Sequence, residues 1–317
     1  MTPTNLEQSP IALFAGTGQP LSTVDADAVR VAIEQAGAVL IRGFATTLAD
    51  FASLGGKLCT SSLFNESPNR EIIEDGASVQ SVNLGADPFP LHPEVAREPW
   101  RPDLAMFSCL DPPGVGGQTN LCDGIAIADS LPVQLRAAME ARRIVYIKPA
   151  SPAMLRYWLG TEAPSAALLA RPPATCPYWF RQSGGQILRG FLRPLLEPTI
   201  FQLRPAFANF SLFARDYLRL TNVPLLDDGS PLPETWLDEV RTTARKLTYA
   251  HAWQKGDVLI ADNSRFMHGR RAIADPVERR IATYFGYMRG IERRAGEPED
   301  PVWRRTSFIP PDTPEAS

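Results

Sequence analysis

The chain is poor in the side chains that most often hold metals: its 317 residues include 3 His and 4 Cys. Cys59, Cys109, Cys122 and Cys176 show no Cys-x-x-Cys spacing. A chain this long needs no covalent staples, so a cysteine zinc site and a disulfide framework are both excluded, and the thiols read as reduced core residues. Long hydrophobic runs are also missing, and Met1 to Gly16 has no basic start ahead of an apolar stretch. Those two absences argue against a membrane span and a secretory leader, which makes the cytoplasm the expected location. Charge of one sign is lacking as well: 32 Lys and Arg face 35 Asp and Glu, for a formal charge of -3. With no basic field to recruit nucleic acid or an anionic membrane, the expected partner is a small molecule, free or carrier-linked.

What is abundant is proline. The 30 Pro compare with about 16 expected from an average usage of about 5%, so turns and loops are numerous. An apolar content of 44% with 21% charged residues is that of an ordinary globular chain. No repeat or low-complexity tract divides the chain, so residues 1–317 read as one decorated domain, its oligomeric state left open by the sequence. Apolar spacing predicts helices over 25–35, 47–57, 126–142 (kinked at Pro132) and 235–246. Strands are expected at 38–42, 104–110, 118–122, 143–148, 248–253, 257–261 and 280–288. Many short strands with flanking helices imply a mainly β sandwich or barrel. The Pro- and Gly-rich stretch 149–200 reads as a lid or insertion that contacts substrate. Residues 296–317 read as a C-terminal tail with a mobile end, onto which Trp303 and Phe308 dock.

Two of the three histidines have informative neighbours. In His92-Pro93-Glu94 an extended backbone points the imidazole and the carboxylate to one face, and Pro93 favours that extended geometry while giving up a ladder donor. The segment Trp253 to Arg270 reads as a strand, an Asp262-Asn263 turn and a second strand that delivers His268. Two histidines and one carboxylate on a β scaffold would form the facial triad of a non-haem Fe(II) oxygenase, with three positions left for a bidentate co-substrate and O2. Such a co-substrate has a far carboxylate that suits a guanidinium fork. Arg279 and Arg280 follow His268, and period-two alternation lets only one of them point inward. Thr119, after Gly116-Gly117, offers a hydroxyl. His251 reads as an ordinary core or edge histidine. Arg265, Arg270, Arg271 and Arg279 read as a solvated basic face, and Trp100, Trp158, Trp179 and Phe180 read as core aromatics.

These segments resemble the taurine dioxygenase and 2,4-dichlorophenoxyacetate dioxygenase family of Fe(II)/2-oxoglutarate oxygenases. The resemblance runs from Gly37-Ala-Val-Leu-Ile-Arg-Gly-Phe44 through Leu91-His-Pro-Glu94 and Pro112 to Gly124. It continues through Gly256 to Asn263 and His268-Gly-Arg270 to Arg279-Arg-Ile281. It implies a double-stranded β-helix, or jelly roll, with His92, Glu94 and His268 as iron ligands. It further implies that Thr119 and Arg280 bind 2-oxoglutarate, and that O2 and a small molecule are the other reactants. Glu94, in place of the commoner Asp, is similar to the clavaminate synthase-like branch, which points to an amino acid or amino-acid derivative that is hydroxylated or desaturated. Tyr284, four residues beyond Arg280, stands where an arginine would meet a sulfonate, so taurine is disfavoured. Tyr249 to Asn263 also resembles oxygenases of isonitrile pathways. A non-catalytic binding or sensor module is the rival class, and chlorination is disfavoured because Glu94 fills the position a halide would need.

Overall fold

Residues alternating between two apolar faces make the central strands. In Leu104–Asp111, Leu104 and Met106 belong to one buried cluster, while Ala105, Phe107 and Cys109 belong to another. A strand buried on both faces must be covered on both. In the computed structural model, which describes residues 11–65, 67, 70–74, 79–274, 279–306 and 308–311, helices cover one face and a second sheet the other.

The major sheet runs, neighbour to neighbour, Ala12–Ala15, Ala38–Arg42, Val258–Asp262, Leu104–Asp111, Arg280–Met288, Val79–Ser81 and Ile72–Glu74. Cys59–Leu63 also pairs with Arg280–Met288. The minor sheet runs Tyr249–His251, Thr119–Asp123, Phe266–Arg270 and Phe89–His92. Phe107 of the major sheet meets the His268 ring edge-on at 5.0 Å, so the two inner faces touch at the histidine. The architecture is mainly β with flanking helices.

Two amphipathic helices close the outer face. Ala26–Ala36 starts on an Asp25 cap that accepts from the Asp27 amide and ends at Gly37, whose φ of 78° is left-handed. Leu48–Leu58 starts on a Thr47 cap. They bury Val29, Ile33, Phe51, Leu54 and Leu58 against Val39, Ile41, Met106, Ile260 and Tyr284, each such side chain worth about 1.5–3 kcal/mol when removed from water. Gly55 lies so close to the Tyr284 ring that a Cβ there would come within 2.8 Å of it.

The expected helix over 126–142 is two helices, Gly124–Ser130 and Val133–Glu140, because Pro132 ends one run and starts the next. The stretch 149–200, expected to be irregular, carries regular elements. It contributes Pro152–Leu159, Ala166–Ala170, Trp179–Ser183 and Gln186–Pro194, the two strands joining Arg143–Pro149 and Leu225–Leu226 in a separate sheet. Trp303 and Phe308 are buried as expected. The segment leading to them is tied down by Asp103, which accepts from Arg294 Nε at 2.8 Å and Arg304 Nη1 at 2.8 Å. The end of the tail, 312–317, lies outside the described residues. Among the described residues no helix is long and apolar enough to cross a membrane.

Candidate active site

Phe266–Arg270 is hydrogen-bonded between Thr119–Asp123 and Phe89–His92, and the ladder sets His268 directly opposite His92. Their rings lie 4.7 Å apart, centre to centre. Glu94, two residues past His92, turns back so that donor atoms of His92, Glu94 and His268 all lie within 4.8 Å of one another. Two imidazoles and one carboxylate on a β scaffold are the donor set of a 2-His-1-carboxylate iron site.

Each donor is oriented by a neighbour. The His92 Nδ1–H donates to the Pro90 carbonyl at 2.8 Å, which leaves Nε2 as the lone-pair nitrogen. Burial, aided by the neighbouring His268, pushes the His92 pKa down to about 4, so the ring is neutral and able to ligate. Burial by itself would raise the Glu94 carboxyl. The Arg70 guanidinium, followed by the His268 contact, overrides it and holds the group well below the usual carboxylate range. Arg70 Nη2 donates to Glu94 Oε1 at 2.7 Å, and Asn65 Nδ2 donates to Oε2 at 2.5 Å. Oε1 is also the oxygen nearest His268 Nε2, at 3.3 Å.

Asn263 clamps the backbone of the same turn. Its Oδ1 accepts from the Glu94 amide at 2.8 Å, and its Nδ2 donates to the carbonyls of Glu94 and Pro102, each at 3.0 Å. Asn263→Ala would strand these three buried backbone groups. A loss of about 1–3 kcal/mol is expected in chemical denaturation, since unmade buried hydrogen bonds cost on that order; stability equal to the parent would show that the clamp contributes nothing.

The triad opens into a cavity of about 430 Å³. Thr119 lines it, its Oγ1 accepting from Trp253 Nε1 at 3.0 Å and keeping its own proton free to donate. Arg280 does not take the inward position expected of it. Arg280 points away from the cavity: its side chain is 64% exposed and reaches Asp111 on the surface at 3.4 Å. Arg279 lines the cavity and is 8% exposed. Alternation does separate the two arginines, but the inner face of Arg280–Met288 is the one that carries Ile281, Phe285 and Tyr287. Ala282 and Tyr284 face the helices. Tyr284 is therefore remote from the site, and the residue four beyond Arg279 is Thr283, also not an arginine.

Arg279 is buried without a counter-charge: its Nε has no hydrogen-bond partner, and among the described residues no carboxylate pairs with it. Burial, then the nearby Arg270 cation, pushes its pKa down to about 10. Gly117, with φ of 66°, lets the backbone lie close against it: a Cβ there would come within 3.2 Å of Arg279 Cδ. Two neighbouring buried guanidinium groups and a hydroxyl form a place for an anion. Arg270 and Arg279 thus leave the expected solvated face, while Arg265 pairs with Asp123 at 2.6 Å. Of the four aromatics expected in the core, Trp100 lines the cavity, and no cavity residue falls within 149–200. His251 stays apart, buried against Asp257 at 3.2 Å.

Sequence reasoning missed Asn65 and Arg70, which sit in a polar stretch with no periodic signal. It named Asn263 only as a turn residue.

Two stacked sheets with this donor set at the mouth of their inner faces make a jelly-roll scaffold around a candidate 2-His-1-carboxylate metal site. The chain belongs to the Taurine catabolism dioxygenase TauD, TfdA family, which it matches over residues 9–284. It is similar to a 3-((Z)-2-isocyanoethenyl)-1H-indole synthase of Fischerella ambigua (strain UTEX 1903), 26% identical over 57% of this chain and 56% of that one, so the match spans a little over half the relative's length. Its fold is shared with PvcB, an Fe, alpha-ketoglutarate dependent oxygenase from an isonitrile synthetic pathway, at 17% identity and a TM-score of 0.56 over 86% of this chain and 85% of that one. It is shared also with a taurine dioxygenase of Burkholderia xenovorans, at 14% identity and a TM-score of 0.58 over 87% and 86%.

Proposed function

We propose that the protein oxidises a C–H bond of a small amino-acid-derived metabolite, by hydroxylation or desaturation, while 2-oxoglutarate is converted to succinate and CO2. His92, Glu94 and His268 would hold the iron, which supplies the O2 chemistry. The observation that carries this reading is the buried, unpaired Arg279 in the same cavity as the triad. Arg279 and Thr119, rather than Arg280, would take the distal carboxylate of 2-oxoglutarate, the guanidinium fork matching a carboxylate edge and the hydroxyl adding a third hydrogen bond. Arg270, held by the carbonyls of Asp87 at 2.7 Å and Asn83 at 2.6 Å, adds field and no direct contact. The aromatic rings of Phe89, Phe107 and Phe213 around the histidines keep bulk water from the reacting centre.

Similarity to an indole isonitrile synthase and to PvcB supports a second reading within the same chemistry, an isonitrile-pathway oxygenase. Glu94, as in the clavaminate synthase-like branch, supports the amino-acid reading. Anaerobic addition of Fe(II) and 2-oxoglutarate to the purified protein is expected to give a visible charge-transfer band, and admission of O2 is expected to release succinate. Protein that gives neither is a binding module and not an oxygenase.

A further inference from the structure

Charged side chains are plentiful in the cavity, and among the described residues all but Arg279 and Arg97 are engaged within the protein. Arg70 holds Glu94. Arg270 is spent on backbone carbonyls, and Arg279 is placed for 2-oxoglutarate. Glu98 is saturated by Lys148, by the Tyr178 hydroxyl at 2.7 Å and by Arg189 at 2.7 Å. The remaining cation is Arg97, which lines the cavity at its exposed mouth. Among the described residues it makes no side-chain hydrogen bond and no ion pair. Its guanidinium stacks over the Phe210 ring at 4.4 Å. Partial burial lowers its pKa even with Glu98 beside it.

An apolar wall joins that cation to the triad. Phe210 contacts Phe213 at 4.9 Å, and Phe213 meets the His92 ring edge-on at 4.8 Å. Tyr217 continues the wall, 4.8 Å from Phe213. A molecule lying along it meets flat aromatic surface in the middle and a cation at one end. We propose that Arg97 is the substrate's anion subsite: the substrate is a carboxylate with an apolar, ring-sized body that lies on Phe210 and Phe213, its far end presented to His92, Glu94 and His268. This rests on the iron site proposed above and names the class of substrate it accepts. Stacking and a terminal guanidinium together select an aromatic acid over an amine or a neutral ring.

The test uses 3-phenylpropionate, 4-phenylbutyrate and 5-phenylvalerate with their matching primary amides. Each is titrated by calorimetry, without O2, into the full chain saturated with Fe(II) and 2-oxoglutarate. At least one acid is expected to bind about tenfold or more tightly than its amide, as a charge-assisted contact requires. Arg97→Met should bring that acid down to the amide's level, and Arg97→Lys should restore part of the gap. The charge-transfer band should be the same in all three proteins. No acid preferred over its amide, or an acid preference unchanged in Arg97→Met, overturns the subsite. A missing band with an intact, Arg97-dependent acid preference removes the iron reading and leaves the anion subsite in place.

Discussion

Arg279→Ala is expected to weaken 2-oxoglutarate by roughly 10²- to 10⁴-fold, because a guanidinium fork gives up two charge-assisted hydrogen bonds of about 1.5–3 kcal/mol each. Arg280→Ala, which removes only an exposed contact to Asp111, should change affinity by less than about twofold, as surface ion pairs contribute little. Both affinities are read from the charge-transfer band as 2-oxoglutarate is titrated into the anaerobic Fe(II) protein. Folding does not confound the comparison: Arg279 has an orphaned Nε and no carboxylate partner among the described residues, so its removal strands no buried charge and relieves the repulsion from Arg270. Arg279→Lys keeps the charge without the fork and should fall between the two. Equal losses in Arg279→Ala and Arg280→Ala, or a larger loss in the latter, would return the co-substrate to Arg280.

The Arg279 and Arg280 pair shows what a sequence withholds. Period two sorts residues 279 to 288 into two sets, and both sets here are apolar enough to be buried. Which set faces inward is decided by what packs on the other side, namely Leu48–Leu58, whose Gly55 leaves room for Tyr284. That is tertiary information with no local trace. The histidines were legible because only three exist and two sit in strand contexts that the ladder sets opposite each other. The helix starts at 26 and 48 were legible from Asp25 and Thr47, whose side chains cap them. The regular elements within 149–200 were not legible because proline marks loops between strands as readily as one irregular stretch, and the hairpin Trp179–Ser183 with Gln186–Pro194 is joined by Gly184-Gly185. Arg70 and Asn65 left no signal, since a polar residue in a polar stretch reads as solvated until something buried is found opposite it.

Arg70→Met is expected to destabilise the metal-free protein far more than the metal-loaded one. In the absence of metal, Arg70 supplies the positive charge that keeps a buried Glu94 ionised, at 2.7 Å. It is itself fixed by Asn83 Oδ1 at 2.8 Å and Thr283 Oγ1 at 3.2 Å. Removing one partner of a buried ion pair costs about 3–5 kcal/mol, which for a chain of this size lowers the melting temperature by roughly 5–15 °C. A divalent cation held by His92, Glu94 and His268 would give Glu94 a replacement counter-charge, so Fe(II), or Mn(II) in air, should recover much of that loss. Because the metal then stabilises the variant more than the parent, linkage requires the folded variant to bind it more tightly. Methionine keeps much of the volume over the Phe285 ring, which Arg70 covers at 5.1 Å, so packing alone does not produce the difference. Melting curves of parent and Arg70→Met with and without metal decide the matter. A drop of equal size in both states would show that Arg70 braces the strands around Ser81 and Thr283 and plays no part in holding the ligand carboxylate, whereas a larger drop in the metal-loaded state would show that it serves the bound metal and not the empty site.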